Sequence, residues 1–184
     1  MRFGDRYVLI DLDASVSFKD GQYAGTKYSS AYIPPEMVVE VDVLGRSIPV
    51  IRTFHPDHVT STGTATAPQY SPLLAQPSYD MWALGVTLYQ ICAGKHLFLD
   101  VDYDDNVDPN TLLTISQWTD EYKHGRLDHV TDLMARNLLS QLLSKNAALR
   151  PSAERALAHP FFTGKKAARM PGEEPEFDVF LSYR

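Results

Sequence analysis

The sequence predicts a mainly α protein, a helical bundle with a small β-hairpin at its N-terminus, and three observations carry that prediction. Tyr79 to Ala93 is apolar nearly all round, through Met81, Trp82, Leu84, Val86, Leu88, Tyr89 and Ile91. A helix with no polar face belongs inside a larger body. His129 to Leu143 repeats Val130, Leu133, Met134, Leu138, Leu142 and Leu143 at helical spacing. At the start, Met1–Phe3 and Tyr7–Ile10 flank Gly4-Asp5, which fits a short hairpin.

The remaining elements follow in order. Asp13 to Lys27 is polar and glycine-containing, hence a loop. Pro34-Pro35 blocks a regular helix, and a short one follows. Val38 to Phe54 alternates as two strands, VVEVDV and IPVIRTF, around a Gly45 turn. Thr60 to Pro68 is small and polar and reads as flexible. Ser78 is placed to cap the apolar helix, and Gly94 ends it. Asp100 to Asp108 (DVDYDDNVD) is an acidic loop, and Pro109 suits the first turn of a helix to about Trp118. Pro151-Ser152 starts a last short helix that ends before His159-Pro160. Gly164 to Glu176 is charged and contains Pro and Gly, a linker.

Composition excludes several function classes. A length of 184 residues holds one domain, or a domain with an appendage. A net charge of −6 argues against a general nucleic-acid or membrane-surface partner. No apolar run approaches the roughly 20 residues that span a bilayer. The opening residues lack the three parts of a signal peptide. Cys92 is the single cysteine, so no internal disulfide forms, and its apolar surroundings suit an inert buried thiol. A cytoplasmic protein is the expectation.

Five motifs carry the functional reading. Asp11-Leu12-Asp13 ends an apolar strand within RYVLIDLDAS, an arrangement that presents a carboxylate to a metal ion. SSAYIPPE spans Ser29 to Glu36, and YDMWALG spans Tyr79 to Gly85. ALRP spans Ala148 to Pro151, and HPFF spans His159 to Phe162. In this order they resemble the DFG, APE, D-x-W-x-x-G, R-P and H-P-F-F landmarks of the C-terminal lobe of eukaryotic protein kinases. The resemblance covers about residues 2–163 and implies an incomplete kinase-like fold. The Gly-rich loop, the strand lysine, its glutamate partner and the H-R-D catalytic loop are not in the sequence.

The resemblance assigns roles residue by residue. Asp11 matches the magnesium-binding aspartate, so ATP and magnesium are the implied cofactors of an intact parent. Asp13 stands where the family has Gly, and adds negative charge beside the metal position. Ser29, Tyr32, Pro35 and Glu36, with Asp13, fall in the activation segment and P+1 loop, where a protein substrate is received; the pattern leans to the serine/threonine type. Pro34 replaces the family's Ala. Glu36 and Arg150 are implied to form a buried ion pair, and Asp80 to hold the backbone of the catalytic loop. Without that loop, Asp80 is expected to lack a partner. Trp82 and Gly85 belong to the same helix motif and are read as structural. The stretch 38–77 is longer than the family needs and is read as an insertion.

The last residues, FDVFLSYR from Phe177 to Arg184, resemble the first strand of a TIR domain. A partial coding sequence would account for motifs cut at both ends. Two functions stand side by side: a fragment of a serine/threonine-like kinase, inactive alone, or a non-catalytic pseudokinase-like scaffold in TIR-linked signalling. The partners implied are a protein substrate or signalling protein and the missing N-lobe and catalytic loop.

Weaker signals are set aside. DVDYDDNVDPNT imitates a calcium loop at Asp100, Asp102 and Asp104, but lacks Gly at the sixth position and Glu at the twelfth, so a solvated acidic loop is the better reading. His55-Pro56-Asp57-His58 offers two imidazoles without further ligands. The Ser/Thr run 60–66 reads as a linker rather than a set of phosphorylation sites.

Overall fold

The computed structural model describes residues 2–3, 6–7, 12, 15–25, 27–54 and 70–164. Two short strands, β1 (Arg2–Phe3) and β2 (Arg6–Tyr7), pair antiparallel with Arg2 opposite Tyr7, as the opening hairpin requires. A second hairpin follows, β3 (Val38–Val43) and β4 (Arg46–Ile51), in register from Val38 opposite Ile51 to Val43 opposite Arg46. Its second strand starts two residues earlier than the alternation suggests, because Leu44 (φ 55°) and Gly45 (φ 77°) close a tight two-residue turn. Glu40, Asp42 and Pro49 lie along the strands, where charge and a missing N–H discourage pairing with other chains.

Helix α1 (Pro77–Ala93) is the axis of the fold. It begins at Pro77, with Gln76 as the capping position, and not behind Ser78 as a hydroxyl cap would place it. A proline fits the first helical position because its missing N–H is one the helix would leave unpaired there. Ser78 thus sits within the first turn, and its hydroxyl is buried without a hydrogen-bond partner. Gly94 ends the helix in the left-handed conformation (φ 66°), its N–H donating to Gln90 O.

Around α1 stand α2 (Pro109–Ser116), α3 (Asp120–Leu127), α4 (Leu133–Leu142) and the short α5 (Ala153–Leu157) and α6 (Pro160–Thr163). Each carries a side-chain cap: Asp108, Thr119, Asp132, Ser152 and His159 accept a backbone N–H of the first turn. Helix α4 starts at Leu133 and not at His129, because Asp132 takes the Ala135 N–H at 2.8 Å and fixes the start there. Helix α3 has no counterpart in the sequence reading. Its DEYKHGRL buries only Lys123 and Leu127, too few apolar positions to show a period. The buried Lys123 is satisfied by Asp120 at 2.7 Å and Ser140 O at 3.2 Å. Helix α6 likewise adds a turn beyond the expected end.

The core forms where α1, α4 and the α2–α3 corner meet. Trp82 and Trp118 pack edge to face, with ring centroids 5.3 Å apart, and Phe98 and Tyr122 pack on Trp118 in the same manner. Such contacts add to the stabilisation from burying the rings. Trp118 Nε1 donates to Leu143 O at 2.8 Å, so the buried indole is not left unpaired. Gly85 brings α1 onto α4: an added Cβ would lie 2.9 Å from Leu143 Cδ2 and 3.0 Å from Leu142 Cβ.

One face of α1 is exposed, although the helix is apolar nearly all round. Asp80, Leu84, Thr87 and Ile91 follow one another at helical spacing, and all four are exposed, Ile91 to 73%. No helix among the described residues is long and apolar enough to cross a membrane.

Candidate active-site segment

The segment 15–37 runs across the N-terminal end of α1 and is held there by backbone bonds. Ala24 N–H donates to Leu73 O and Ala75 N–H to Gln22 O, both at 2.8 Å. Gly25 accepts the Phe54 N–H on its carbonyl, and its φ of 92° with Arg52 O only 2.7 Å from a would-be Cβ admits no other residue without strain. Tyr23 and Phe54 stack beside it at 4.7 Å.

Two 3₁₀ turns then set the SSAYIPPE residues. In the first, Ser30–Tyr32, Ser30 is buried, its hydroxyl accepts the Val107 N–H at 2.8 Å, and Ala31 N–H donates to Asp105 O at 3.0 Å. Tyr32 OH donates to Gln90 Oε1 at 3.1 Å, and Gln90 Nε2 lies 2.7 Å from His96 Nδ1. Ser29 is exposed and makes no side-chain cap. The second turn, Pro35–Met37, opens on Pro35 and aims Glu36 inward.

Glu36 and Arg150 close this arrangement. Arg150 Nη1 and Nη2 donate to Glu36 Oε1 and Oε2 at 2.6 and 2.8 Å. The guanidinium also donates to Ser144 O at 2.9 Å and Ser78 O at 3.0 Å, and sits 5.0 Å from the Trp82 ring centroid. A planar fork with several donors suits this bidentate, stacked position, where a lysine would satisfy only one oxygen. Nearby, burial pushes the Tyr79 phenol up, reinforced by Glu36 and opposed by Arg150 and Arg52.

A groove of about 600 Å³ opens between this segment and α1, with Leu12, Val16, Tyr28, Tyr32, Tyr79 and Asp80 among its walls. Asp80, still partly open to solvent, accepts no hydrogen bond from the described residues, and the burial of part of its carboxyl raises its pKa. The groove therefore combines apolar walls with the Asp80 carboxylate, an acceptor suited to N–H donors.

Asp11 and Asp13 lie outside the described residues, as do residues 55–69 and 165–184, which include the His-Pro-Asp-His and TIR-like stretches. Among the described residues, no group of three or more His, Cys, Asp or Glu is placed to hold a metal ion. Sequence reasoning missed the buried Ser30 and its partners Asn106 and Val107, since a contact across 77 positions leaves no local signal.

Comparison with known proteins matches residues 61–162 to the family model of the Protein kinase domain. Myosin light chain kinase 2, skeletal/cardiac muscle, of Mus musculus is 30% identical over 149 residues, covering 74% of this chain and 23% of that protein. A TBC domain-containing protein kinase-like protein of Mus musculus is 28% identical over 140 residues, 72% of this chain and 13% of its own length. A CaM kinase-like vesicle-associated protein of Danio rerio is 33% identical over 92 residues, 48% of this chain and 21% of its own. The chain belongs to the protein kinase family. It spans about a quarter or less of these relatives.

Proposed function

We propose that this chain is C-lobe sequence of a serine/threonine-type protein kinase whose intact form transfers the ATP γ-phosphoryl group to a protein hydroxyl. The Glu36–Arg150 pair carries the reading, because it fastens the SSAYIPPE segment to the D-x-W-x-x-G helix. In this reading Asp11 binds magnesium. The segment from Asp13 through Ser29, Tyr32 and Pro35 to Glu36 is the activation segment and P+1 loop that receives the substrate. Asp80 holds the catalytic-loop backbone, while Trp82, Gly85 and Arg150 are structural. Residues 38–77 are an insertion, 164–176 a linker, and 177–184 the start of a TIR domain.

Phosphoryl transfer depends mainly on positioning and charge neutralisation, with magnesium bridging the phosphates and a base near the attacking hydroxyl. One carboxylate at position 11 does not supply these, so residues 1–184 alone are expected to be inactive. The scaffold reading is favoured by Asp13 in the place of Gly.

The test uses the longest transcript-encoded polypeptide containing this sequence. Transfer from ATP to a Ser/Thr peptide, abolished by Asp11→Asn with the fold retained, supports the kinase reading. A folded full-length product with no magnesium–ATP binding supports the scaffold instead.

A further inference from the structure

We propose that Tyr103 is a phosphorylation site for an acid-directed protein tyrosine kinase, and that the phosphate loosens the contact between the acidic loop and the Ser30–Tyr32 turn. This inference does not depend on the chain's own catalytic reading.

Tyr103 is 95% exposed, against 41% for Tyr28 and 37% for Tyr23. It lies in a turn in which Asp105 N–H donates to Asp102 O at 3.1 Å, so the phenol stands at the loop tip. Asp102, Asp104 and Asp105 flank it, and no Lys or Arg occurs between Lys95 and Lys123. A modifying enzyme that engages this loop must present a basic peptide groove, since a neutral or acidic one gains nothing from these carboxylates. The step is a simple transfer. The phenolic oxygen attacks the γ-phosphorus of ATP, the bond to the bridging oxygen breaks, ADP leaves, and the phenolic proton passes to that enzyme's base.

The loop is built to respond. Asp100 and Asp105 both hold positive φ, 55° and 60°, conformations that cost a non-glycine residue energy. Asp102 Oδ1 holds the turn by accepting the N–H groups of Asp104 (2.9 Å) and Asn106 (2.8 Å). Beyond the tip, Asp105 O accepts Ala31 N–H and Val107 N–H donates to Ser30 Oγ. A phosphate adds about two negative charges next to these carboxylates. Like-charge repulsion then favours the open loop, and opening removes the partners of Ser30 and Ala31.

The experiment treats the 184-residue chain and its Tyr103→Phe variant with an acid-directed tyrosine kinase and magnesium–ATP, followed by peptide mapping and amide hydrogen exchange. Expected are one phosphate on Tyr103, none in Tyr103→Phe, and several-fold faster exchange at Ala31 and Val107 with Leu138 and Leu139 unchanged. Phosphate on Tyr23 or Tyr28 instead, or none on the folded chain, overturns the site. Phosphate on Tyr103 with unaltered exchange at Ala31 and Val107 overturns the coupling.

Discussion

Arg150 reaches across 114 positions to Glu36 and holds both of its carboxylate oxygens, while its own guanidinium is fully enclosed and lies over the Trp82 ring. Removing one partner leaves a buried charge without compensation. Glu36→Gln, and more so Glu36→Ala, should therefore destabilise the chain by about 3–5 kcal/mol, whereas the double replacement Glu36→Leu with Arg150→Leu should lose less than the sum of the singles. Urea unfolding of the parent, the Glu36 variants, the Glu36→Leu and Arg150→Leu singles and the double replacement measures this. A loss under about 1 kcal/mol for Glu36→Ala, the range of exposed pairs, would show that the pair does not hold the segment.

Gly85 packs directly against the end of α4 and the residue after it. Gly85→Ala places a methyl 2.9 Å from Leu143 Cδ2 and 3.0 Å from Leu142 Cβ. Overpacking of this kind costs typically about 1–3 kcal/mol, more than the gain in helix propensity returns. A lower urea midpoint with an unchanged slope is the expected result; a raised midpoint contradicts the close approach.

Leu44 is 99% exposed and has φ 55°, so it packs on nothing and sits in a conformation that leucine disfavours. Leu44→Asn should stabilise the β3–β4 turn, by up to about 1 kcal/mol, because asparagine tolerates left-handed backbone. Thermal unfolding detects this as a raised midpoint. No change, or a fall, would mean the turn is not of this type.

Asp80 gives a pH signature. Its folded-state carboxyl is raised by desolvation, so the folded chain binds that proton more tightly than the unfolded chain does. The linked stability is fully present below the ordinary aspartate range and is lost as pH rises through the folded value. Asp80→Asn should thus gain most over the parent near neutrality, with the difference shrinking on acidification. Urea midpoints at several pH values decide it, and a difference that grows toward acid contradicts the assignment.

The helices with clear apolar period or a Pro or Gly boundary were legible: α1, α2 and most of α4 follow from Trp82 and its neighbours, Pro109 and the leucines to Leu142. Their starts were less so. A Pro77 start and an Asp132 cap depend on which of several eligible residues takes the first-turn N–H groups. Helix α3 was hidden because Thr119 caps a segment whose stability comes from Leu127 and Lys123 packing on the bundle, a tertiary effect. The motif order pointed to Glu36 and Arg150 as partners across the chain. It did not reveal Ser30 gripping Val107.

Binding of magnesium–ATP to the 184-residue chain tests the central proposal most directly. Titration calorimetry with the parent and Asp11→Asn should give no saturable binding and no phosphate transfer for either, as proposed for a sequence that carries neither the Gly-rich loop, the strand lysine nor the H-R-D loop. Stoichiometric binding by the parent that Asp11→Asn abolishes would contradict that account and place a working nucleotide site within these residues.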